Sequence, residues 1–206
     1  MTRLRVAVLI SGSGSTLANL IECQRRGELP IDFGLVISSN PKAGGLRHAE
    51  QASIPTEVVA RKNFTDQQAH SQQIFGLCRA HNVQLVVMGG YLEHLGIPDD
   101  FANRVINVHP ALIPAFSGQG YYGLRVHTAA IEYGVKLSGC TVHFVDNQYD
   151  HGPIIAQHSC PVFHDDTPLD LQQRIGELER QHYPQVIAAI ASGRVTVTDR
   201  KVFVGS

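Results

Sequence analysis

Few cysteines are present, and none lie in the close pairs that metal sites and redox centres use. The 206-residue sequence has four, with no CxxC pair: Cys23, Cys78, Cys140 and Cys160. Disulfide frameworks belong mainly to small secreted chains, and zinc sites usually show closely spaced ligands. We therefore expect reduced, half-buried cysteines in a cytoplasmic protein. Four histidines could be considered as metal ligands: His127, His143, His151 and His158. No metal is expected there, because no pair of them shows the helix-face pattern of a metalloprotease.

An excess of charge and a long apolar run are also missing. Basic and acidic residues number 17 and 18, for a net charge of −1, so the sequence lacks the basic stripe of a nucleic-acid-binding protein. No stretch reaches the length that crosses a bilayer. The first apolar run is interrupted at Ser11–Gly14, too early for a signal peptide. We expect no nucleic-acid partner and no membrane segment.

The first half of the sequence alternates strand and helix patterns. Leu4–Ile10, for example, is apolar and rich in β-branched residues, which indicates a buried strand. This βαβα order predicts an α/β fold with a Rossmann-like, mostly parallel sheet and helices on both faces. The other predicted strands are Phe33–Ser38, Thr56–Val59, Gln84–Met88 and Val105–Val108; the predicted helices are Thr16–Arg26, Gly45–Ala52 and Thr65–His81, the last with a threonine cap.

The second half has a different pattern. Two β-rich runs, Ser138–Val145 and Ile154–Val162, flank a turn at Tyr149–Pro153, which predicts antiparallel strands in the C-terminal half. No linker is evident, so the simplest interpretation is a single domain over residues 1–206. The remaining predicted elements are a helix from about Pro168 to Ala191 and a terminal hairpin of Val195–Val197 and Lys201–Val204.

Asn107 and His109 are the most informative residues. Side chains two apart on a strand share a face, and Pro110 is expected to end the strand. An amide and an imidazole then lie together at the carboxyl end of a strand, where open α/β sheets bind ligands. A carboxylate from a later loop, with Asp150 as the candidate, could set the protonation state of the imidazole. This trio suits acyl transfer, although His109 alone could be a core histidine and Asp150 alone a turn residue.

A glycine-rich segment, Ser11–Thr16, lies between the first predicted strand and the first predicted helix. Glycines let the backbone approach an anion, and a helix N-terminus offers free N–H groups, so the position is that of a phosphate site. The dinucleotide fingerprint does not fit, because Leu17 stands at its third glycine and no acidic residue ends the second strand. The alternative is a tight turn without a ligand.

Two further segments are positioned to face the same crevice. Ala115–Gly123, rich in glycine and tyrosine, directly follows the Asn/His strand and could close over a substrate, or be an ordinary surface loop. Glu93 and His94 follow the fourth predicted strand. Their backbone is expected to face the crevice and their side chains the solvent.

These residues resemble the folate-dependent formyltransferases, in the branch of the phosphoribosylglycinamide formyltransferases. The resemblance runs from Arg5 to about Gly193. The motifs on which it rests are Leu9–Ser15, Asn107–Pro114, Gly139–Val145 and Asp150–Ile155. The first of these motifs distinguishes the branch that acts on glycinamide ribonucleotide. The resemblance implies the formyltransferase fold, 10-formyltetrahydrofolate as the co-substrate and glycinamide ribonucleotide as the substrate. The sequence leaves both a monomer and a homodimer open.

The resemblance also implies a role for individual residues. Asn107, His109 and Asp150 would be catalytic, with Asp150 raising the pKa of His109. The N-terminal half, about residues 1–103, would bind phosphate, and the remainder would carry catalysis and folate binding. The implied substrate contacts are Gly14, Ser15, Thr16 and Glu179, and the implied folate contacts are Leu92, Glu93, His94, Leu95 and Asn107, largely through the backbone.

Several positions depart from the pattern of the best-known members. Thr16 stands where asparagine is common, and Glu93 where arginine is common in the bacterial form. Gln67 replaces a folate-side arginine, and Gly176 a glutamine near the substrate. The Gly118–Arg125 loop is a few residues longer than in short-loop members. The catalytic trio is unaffected by these differences, but side-chain contacts in both pockets are expected to differ.

Four alternatives share features with this sequence. Methionyl-tRNA formyltransferases add a basic C-terminal domain, and formyltetrahydrofolate hydrolases usually carry an N-terminal regulatory domain. We expect neither here, because the catalytic pattern starts at Leu4 and the sequence stops at Ser206. Sugar-nucleotide formyltransferases generally lack the Gly14–Thr16 loop. The fourth alternative is a non-catalytic module that binds folate or a nucleotide, but such a module would not need the Asn107, His109 and Asp150 side chains for acid–base chemistry.

Overall fold

The computed structural model describes residues 3–205, which fold as two compact units. The first unit extends to Asn107 and the second begins at Val108. Strand β5 (Val105–His109) spans this boundary. Asn107 therefore belongs to the first unit and His109 to the second, although both lie on one strand.

The first unit is a parallel sheet with helical connections. Its strands lie in the order β3-β2-β1-β4-β5, and each neighbouring pair is parallel. This confirms the predicted parallel α/β architecture. The elements are β1 (Leu4–Ile10), α1 (Ser15–Arg25), β2 (Ile31–Ser38), α2 (Gly45–Gln51), β3 (Thr56–Val58), α3 (Gln67–Ala80), β4 (Leu85–Met88) and two 3₁₀ turns, Arg61–Asn63 and Asp99–Phe101.

The strand order reverses beside β1, and this reversal positions the ligand-binding edge. The chain adds β2 and β3 on one side of β1 and then crosses to β4 on the other. Since such crossovers are right-handed, α1 and α2 cover one face and α3 the opposite face. The loops that follow β1 and β4 meet at the switch point, where open α/β sheets bind ligands.

The core of the first unit follows directly from its apolar strands. Val6 to Ile10 on β1 have no exposed surface, as expected for a strand covered on both faces. The four cysteines are free and buried, whereas the sequence indicated half-buried ones. The cap of α3 was also predicted wrongly: Asp66, not Thr65, accepts the N–H of Ala69 at 2.8 Å, because a side chain one residue later reaches the free amides.

The second unit contains an antiparallel strand pair packed against helices. Strands β6 (Leu137–Phe144) and β7 (Ile154–Pro161) pair as predicted, with Thr141 opposite Gln157. Helix α5 (Pro168–Ala191) begins with a capping box formed by Thr167 and Asp170. The C-terminal hairpin consists of β8 (Val195–Thr198) and β9 (Lys201–Val204). No helix within residues 3–205 is long and apolar enough to cross a membrane.

Helix α4 (Leu124–Tyr133) was not predicted. The predicted Gly118–Arg125 loop ends at Gly123, and Arg125 lies inside the helix. The helix buries Val126, His127 and Ala130. Its apolar face joins a core cluster that includes Ala130, Cys140, Cys160, Leu171 and Ile175. Tertiary packing thus stabilises a ten-residue helix that is too short to be stable alone.

Candidate functional site

His109 is the last residue of β5 and is almost completely buried, with 3% of its surface exposed. Its Nε2 lies 2.8 Å from the carbonyl oxygen of Phe116, to which it donates. Its Nδ1 faces Oδ2 of Asp150 at 3.4 Å. Both ring nitrogens therefore face acceptors, an arrangement that suits an imidazole with hydrogen on both nitrogens. The 3.4 Å separation is an ion-pair contact rather than a short hydrogen bond.

Asp150 reaches this ring from the loop between β6 and β7. Its backbone has a φ of 49°, a left-handed conformation that asparagine and aspartate tolerate better than other non-glycine residues. The amide of Gly118 donates to its Oδ2 at 2.9 Å. The structure thus brings together two residues 41 positions apart, as the sequence analysis required of the candidate site.

His143 is a third member of this cluster that the sequence analysis missed. Its Nε2 lies 3.7 Å from Oδ1 of Asp150, and its Nδ1 donates to the carbonyl of Phe144 at 2.8 Å. Burial lowers the pKa of His143, which favours the neutral ring. Asp150 is therefore flanked by two imidazoles. The strand alternation of β6, which places His143 on the same face as Thr141, was the signal that could have identified it.

The turn after His109 is held by the antiparallel pair. The Thr141 hydroxyl donates to the carbonyl of Ala111 at 2.7 Å and accepts the amide of Ile113 at 3.0 Å. The Gln157 amide donates to the carbonyl of Ile113 at 2.9 Å and to the Thr141 hydroxyl at 3.0 Å. The cross-strand partners Thr141 and Gln157 thereby fix the backbone that leads away from His109.

The Gly/Tyr-rich loop contacts both members of the His109–Asp150 pair. Phe116 supplies its carbonyl to the histidine, and Gly118 its amide to the carboxylate. The Phe116 ring packs against the core of the second unit and lies 5.9 Å from the ring of Tyr133. The side chain of Phe116 therefore anchors the loop beside the site, while Tyr121 and Tyr122 remain exposed.

In the first unit, the glycine-rich segment forms a tight turn into α1. Gly14 has a φ of 76°, and a Cβ added there would lie 2.3 Å from the Cα of Gly45. Only glycine fits this position. Ser15 and Thr16 then begin α1, whose N-terminus has no side-chain cap and no acidic residue in its first turn. Its positive dipole end is suited to an anion.

The segment after β4 lies against this turn. The amide of Leu92 donates to the Ser11 hydroxyl at 3.0 Å, and the Ser11 hydroxyl also shares a hydrogen bond of 2.7 Å with that of Ser39. Leu92 is 63% exposed, whereas Leu95 is buried at 2%. Glu93 and His94 are both half-buried, whereas the sequence analysis expected their side chains to face the solvent. The Gln67 amide of α3 hydrogen-bonds Nδ1 of His94.

Two further candidates lie at separate places in the fold. Asn107 is half-buried on β5 and belongs to the first unit. Glu179 lies on α5 in the second unit, where burial raises the pKa of its carboxyl to about 7 and the Arg180 charge opposes the shift. No group of three or more His, Cys, Asp or Glu side chains within residues 3–205 is arranged to hold a metal ion.

Comparison with known proteins agrees with this geometry. The profile of the family described as formyl transferase matches residues 4–187. The phosphoribosylglycinamide formyltransferase of Haemophilus influenzae is 36% identical, over 97% of this chain and 92% of that protein. The glycinamide ribonucleotide transformylase 1 of Symbiobacterium toebii superposes with a TM-score of 0.92 at 36% identity, over 99% of this chain and 95% of that chain.

A longer relative has the same region as one part of a larger protein. The trifunctional purine biosynthetic protein adenosine-3 of Drosophila melanogaster is 38% identical over 95% of this chain, which spans only 14% of that protein's length. The matched region is therefore shared by single-module and multifunctional relatives. On the extent of the profile match and the likeness to the bacterial relatives, this chain belongs to the formyl transferase family.

Proposed function

We propose that this protein transfers the formyl group of 10-formyltetrahydrofolate to the amine of N1-(5-phospho-D-ribosyl)glycinamide. The products are the N-formyl nucleotide and tetrahydrofolate, and the reaction serves de novo purine biosynthesis. The observation that carries the proposal is the buried His109–Asp150 pair in a chain of this family. The names of the relatives support the same substrates.

The nucleotide phosphate is assigned to the start of α1. Gly14 lets the backbone approach the phosphate, and Ser15 and Thr16 add amides and hydroxyls at the positive end of the helix dipole. Glu179 is assigned to the rest of the nucleotide. A carboxyl whose pKa is raised to about 7 by burial can ionise when hydrogen-bond donors of the substrate approach it.

The folate is assigned to the segment Leu92–Leu95, mainly through its backbone, and to Asn107. The exposed Leu92 offers apolar surface, while the buried Leu95 ties the segment to the core. Glu93 and His94 contribute backbone groups, and Gln67 holds the His94 ring. The departure from arginine at position 67 therefore has a structural use, since an amide can pair with a neutral imidazole.

The reaction needs a donor to an oxyanion and a carrier for one proton. The substrate amine forms a bond to the formyl carbon, a tetrahedral oxyanion develops, and the bond from that carbon to N10 breaks. Asn107 and His109 donate hydrogen bonds to the oxyanion. The proton that the amine loses and N10 gains passes through His109, and the ionised Asp150 beside Nδ1 stabilises the charged ring meanwhile. Donation from Nε2 requires that it exchange the Phe116 carbonyl for the reacting oxygen.

Partners and location complete the proposal. The protein acts on two small molecules, without a nucleic-acid partner, as a monomer or homodimer in the cytoplasm. Four free, buried cysteines are compatible with a reducing compartment.

The test is an assay of purified protein with 10-formyltetrahydrofolate and glycinamide ribonucleotide, monitored by tetrahydrofolate formation. We expect tetrahydrofolate and formylated nucleotide in equal amounts, and neither product when either substrate is omitted. Tetrahydrofolate released without the nucleotide would instead identify a hydrolase. Binding of both ligands without product would identify a non-catalytic module.

A further inference from the structure

The C-terminal hairpin reaches the loop that carries Asp150. This hairpin, β8–β9, lies beyond the region matched by the family profile, which ends at residue 187. Its strands are joined by a tight turn in which Thr198 pairs with Lys201 and Asp199 has a φ of 54°. Such a two-residue turn presents its second residue, Arg200, at the tip of the hairpin.

Arg200 binds both the backbone and the side chain of His151, the residue after Asp150. Its Nη2 donates to the carbonyl oxygen of His151 at 2.7 Å, and its Nη1 lies 3.1 Å from Nε2 of the same residue. The Asp146 carboxylate lies 2.7 Å from Nδ1 on the other side of the ring. The His151 ring can therefore donate from Nδ1 to Asp146 and accept from Arg200 at Nε2.

The tip of this loop lies at the surface, where Asn147, Gln148 and Tyr149 are exposed. Within the loop, the Gln148 amide donates to the Asp146 carboxylate at 2.9 Å. The contacts of His151 with Asp146 and Arg200 therefore link the residues on either side of Asp150 along the chain, while the Gly118 amide binds the Asp150 carboxylate itself.

We propose that Arg200 is a positioning residue for the formyl transfer reaction. It clamps the Asp146–His151 segment so that the Asp150 carboxylate stays beside His109, without itself touching a substrate. This inference rests on the proposed function. To the proposed mechanism it adds Arg200, which lies beyond the residues matched by the family profile. Arg200 would set how often the Asp150 carboxylate and the His109 imidazole are aligned.

The test compares Arg200→Ala with Lys201→Ala in the full chain. Lys201 is exposed and lies on the same turn, so its loss removes the same charge without opening the clamp. We expect Arg200→Ala to lower kcat about threefold to tenfold, the loss of one or two hydrogen bonds. The KM for each substrate and the Tm should stay near wild type, and Lys201→Ala should match wild type throughout. Arg200→Lys, which keeps one donor, should recover part of kcat.

Hydrogen exchange supplies a readout that does not depend on activity. Amides of residues 146–151 should exchange faster in Arg200→Ala than in wild type or Lys201→Ala. Unchanged exchange in this segment, or a kcat equal to that of Lys201→Ala in an active wild type, overturns the clamp. A wild-type protein that makes no formylated nucleotide overturns the proposed function instead, and the exchange experiment still decides whether the clamp exists.

Discussion

At the scale of single residues, His109 derives its chemistry from its immediate neighbours. Its two ring nitrogens face a carbonyl and a carboxylate, and the ring itself is almost completely buried. Electrostatic interactions are stronger there than at the surface, because little water screens them. The same residue types on the exterior would have no comparable effect.

That contrast can be measured within this chain. His109→Ala and Asp150→Asn should each lower kcat by about 10²–10³, the typical loss when one oxyanion donor or its support is removed. The matched controls are His164→Ala and Asp165→Asn, a surface pair whose side chains are 94% and 77% exposed. The controls should keep wild-type kcat, and all four variants should keep a Tm near wild type. Steady-state kinetics and thermal melts check this, and a wild-type kcat in either site variant would exclude the mechanism.

Glu179 is a residue whose burial costs stability. Its pKa is raised from 4.5 to about 7, so the native chain holds a proton that the unfolded chain has already released in this range. Stability from this group therefore falls as the pH rises from about 4.5 to about 7. Glu179→Gln should remove the penalty and raise the free energy of unfolding at pH 8 by about 1 kcal/mol or more, with little change near pH 4.5.

Thermal melts at the two pH values check this expectation, with Glu177→Gln as the control. Glu177 is an exposed glutamate on the same helix, and its replacement should change neither melt. Nucleotide KM should rise in Glu179→Gln only, since the lost carboxylate is assigned to the nucleotide. An equal Tm for Glu179→Gln and wild type at pH 8 would contradict the account.

At the scale of elements, the loop between β6 and β7 decides where Asp150 lies. A Cβ added at Gly152 would come within 1.9 Å of the Phe144 carbonyl oxygen. Gly152→Ala must therefore push the loop away from the end of β6. We expect a loss of about 1–3 kcal/mol in the free energy of unfolding, as for other overpacked sites, together with a lower kcat.

Gly76→Ala is the control, because nothing lies within 4 Å of its added Cβ on α3. This substitution should leave the free energy of unfolding unchanged or raise it. Chemical denaturation and kinetics measure both, and a wild-type kcat for Gly152→Ala would show that the loop does not position the carboxylate.

The elements differ in how far local sequence could predict them. Helix α5 begins at its capping box and ends where predicted, and β1 matches its apolar run, because caps and periodicity are local signals. Helix α4 was missed because its first residues follow three glycines and two tyrosines. Its stability comes from burial against β6, β7 and α5, which no local pattern records.

At the scale of the whole molecule, buried neutral histidines make stability depend on pH. Burial lowers the pKa of His127 from 6.5 to about 4, and that of His143 is also lowered by burial. The unfolded chain binds these protons first, so stability is lost as the pH falls from about 6.5 toward about 4. When the pH is lowered from 8 to 5, the free energy of unfolding should fall less in His127→Leu than in wild type, and the difference between the two decreases should be about 1–2 kcal/mol. Denaturant unfolding at both pH values tests this, with the exposed His164→Leu as the control; an equal acid-induced loss in His127→Leu and wild type would refute it.

The sequence by itself determined the parallel order of strands and helices, the glycine turn into α1 and the Asn107–His109 pair on one strand. These features depend on neighbours a few residues apart, whose backbone geometry follows from residue type. Only the tertiary structure decided that Asp150 reaches His109, that His143 flanks the same carboxylate, and that Arg200 contacts His151 in the Asp150 loop. Asp150 lies 41 positions from His109, and Arg200 lies 49 positions from His151. His143 is near in sequence, but it meets Asp150 only through the loop that joins β6 to β7. The geometry of all three contacts depends on how β6, β7 and the terminal hairpin pack, because burial and long-range hydrogen bonds are properties of the folded chain.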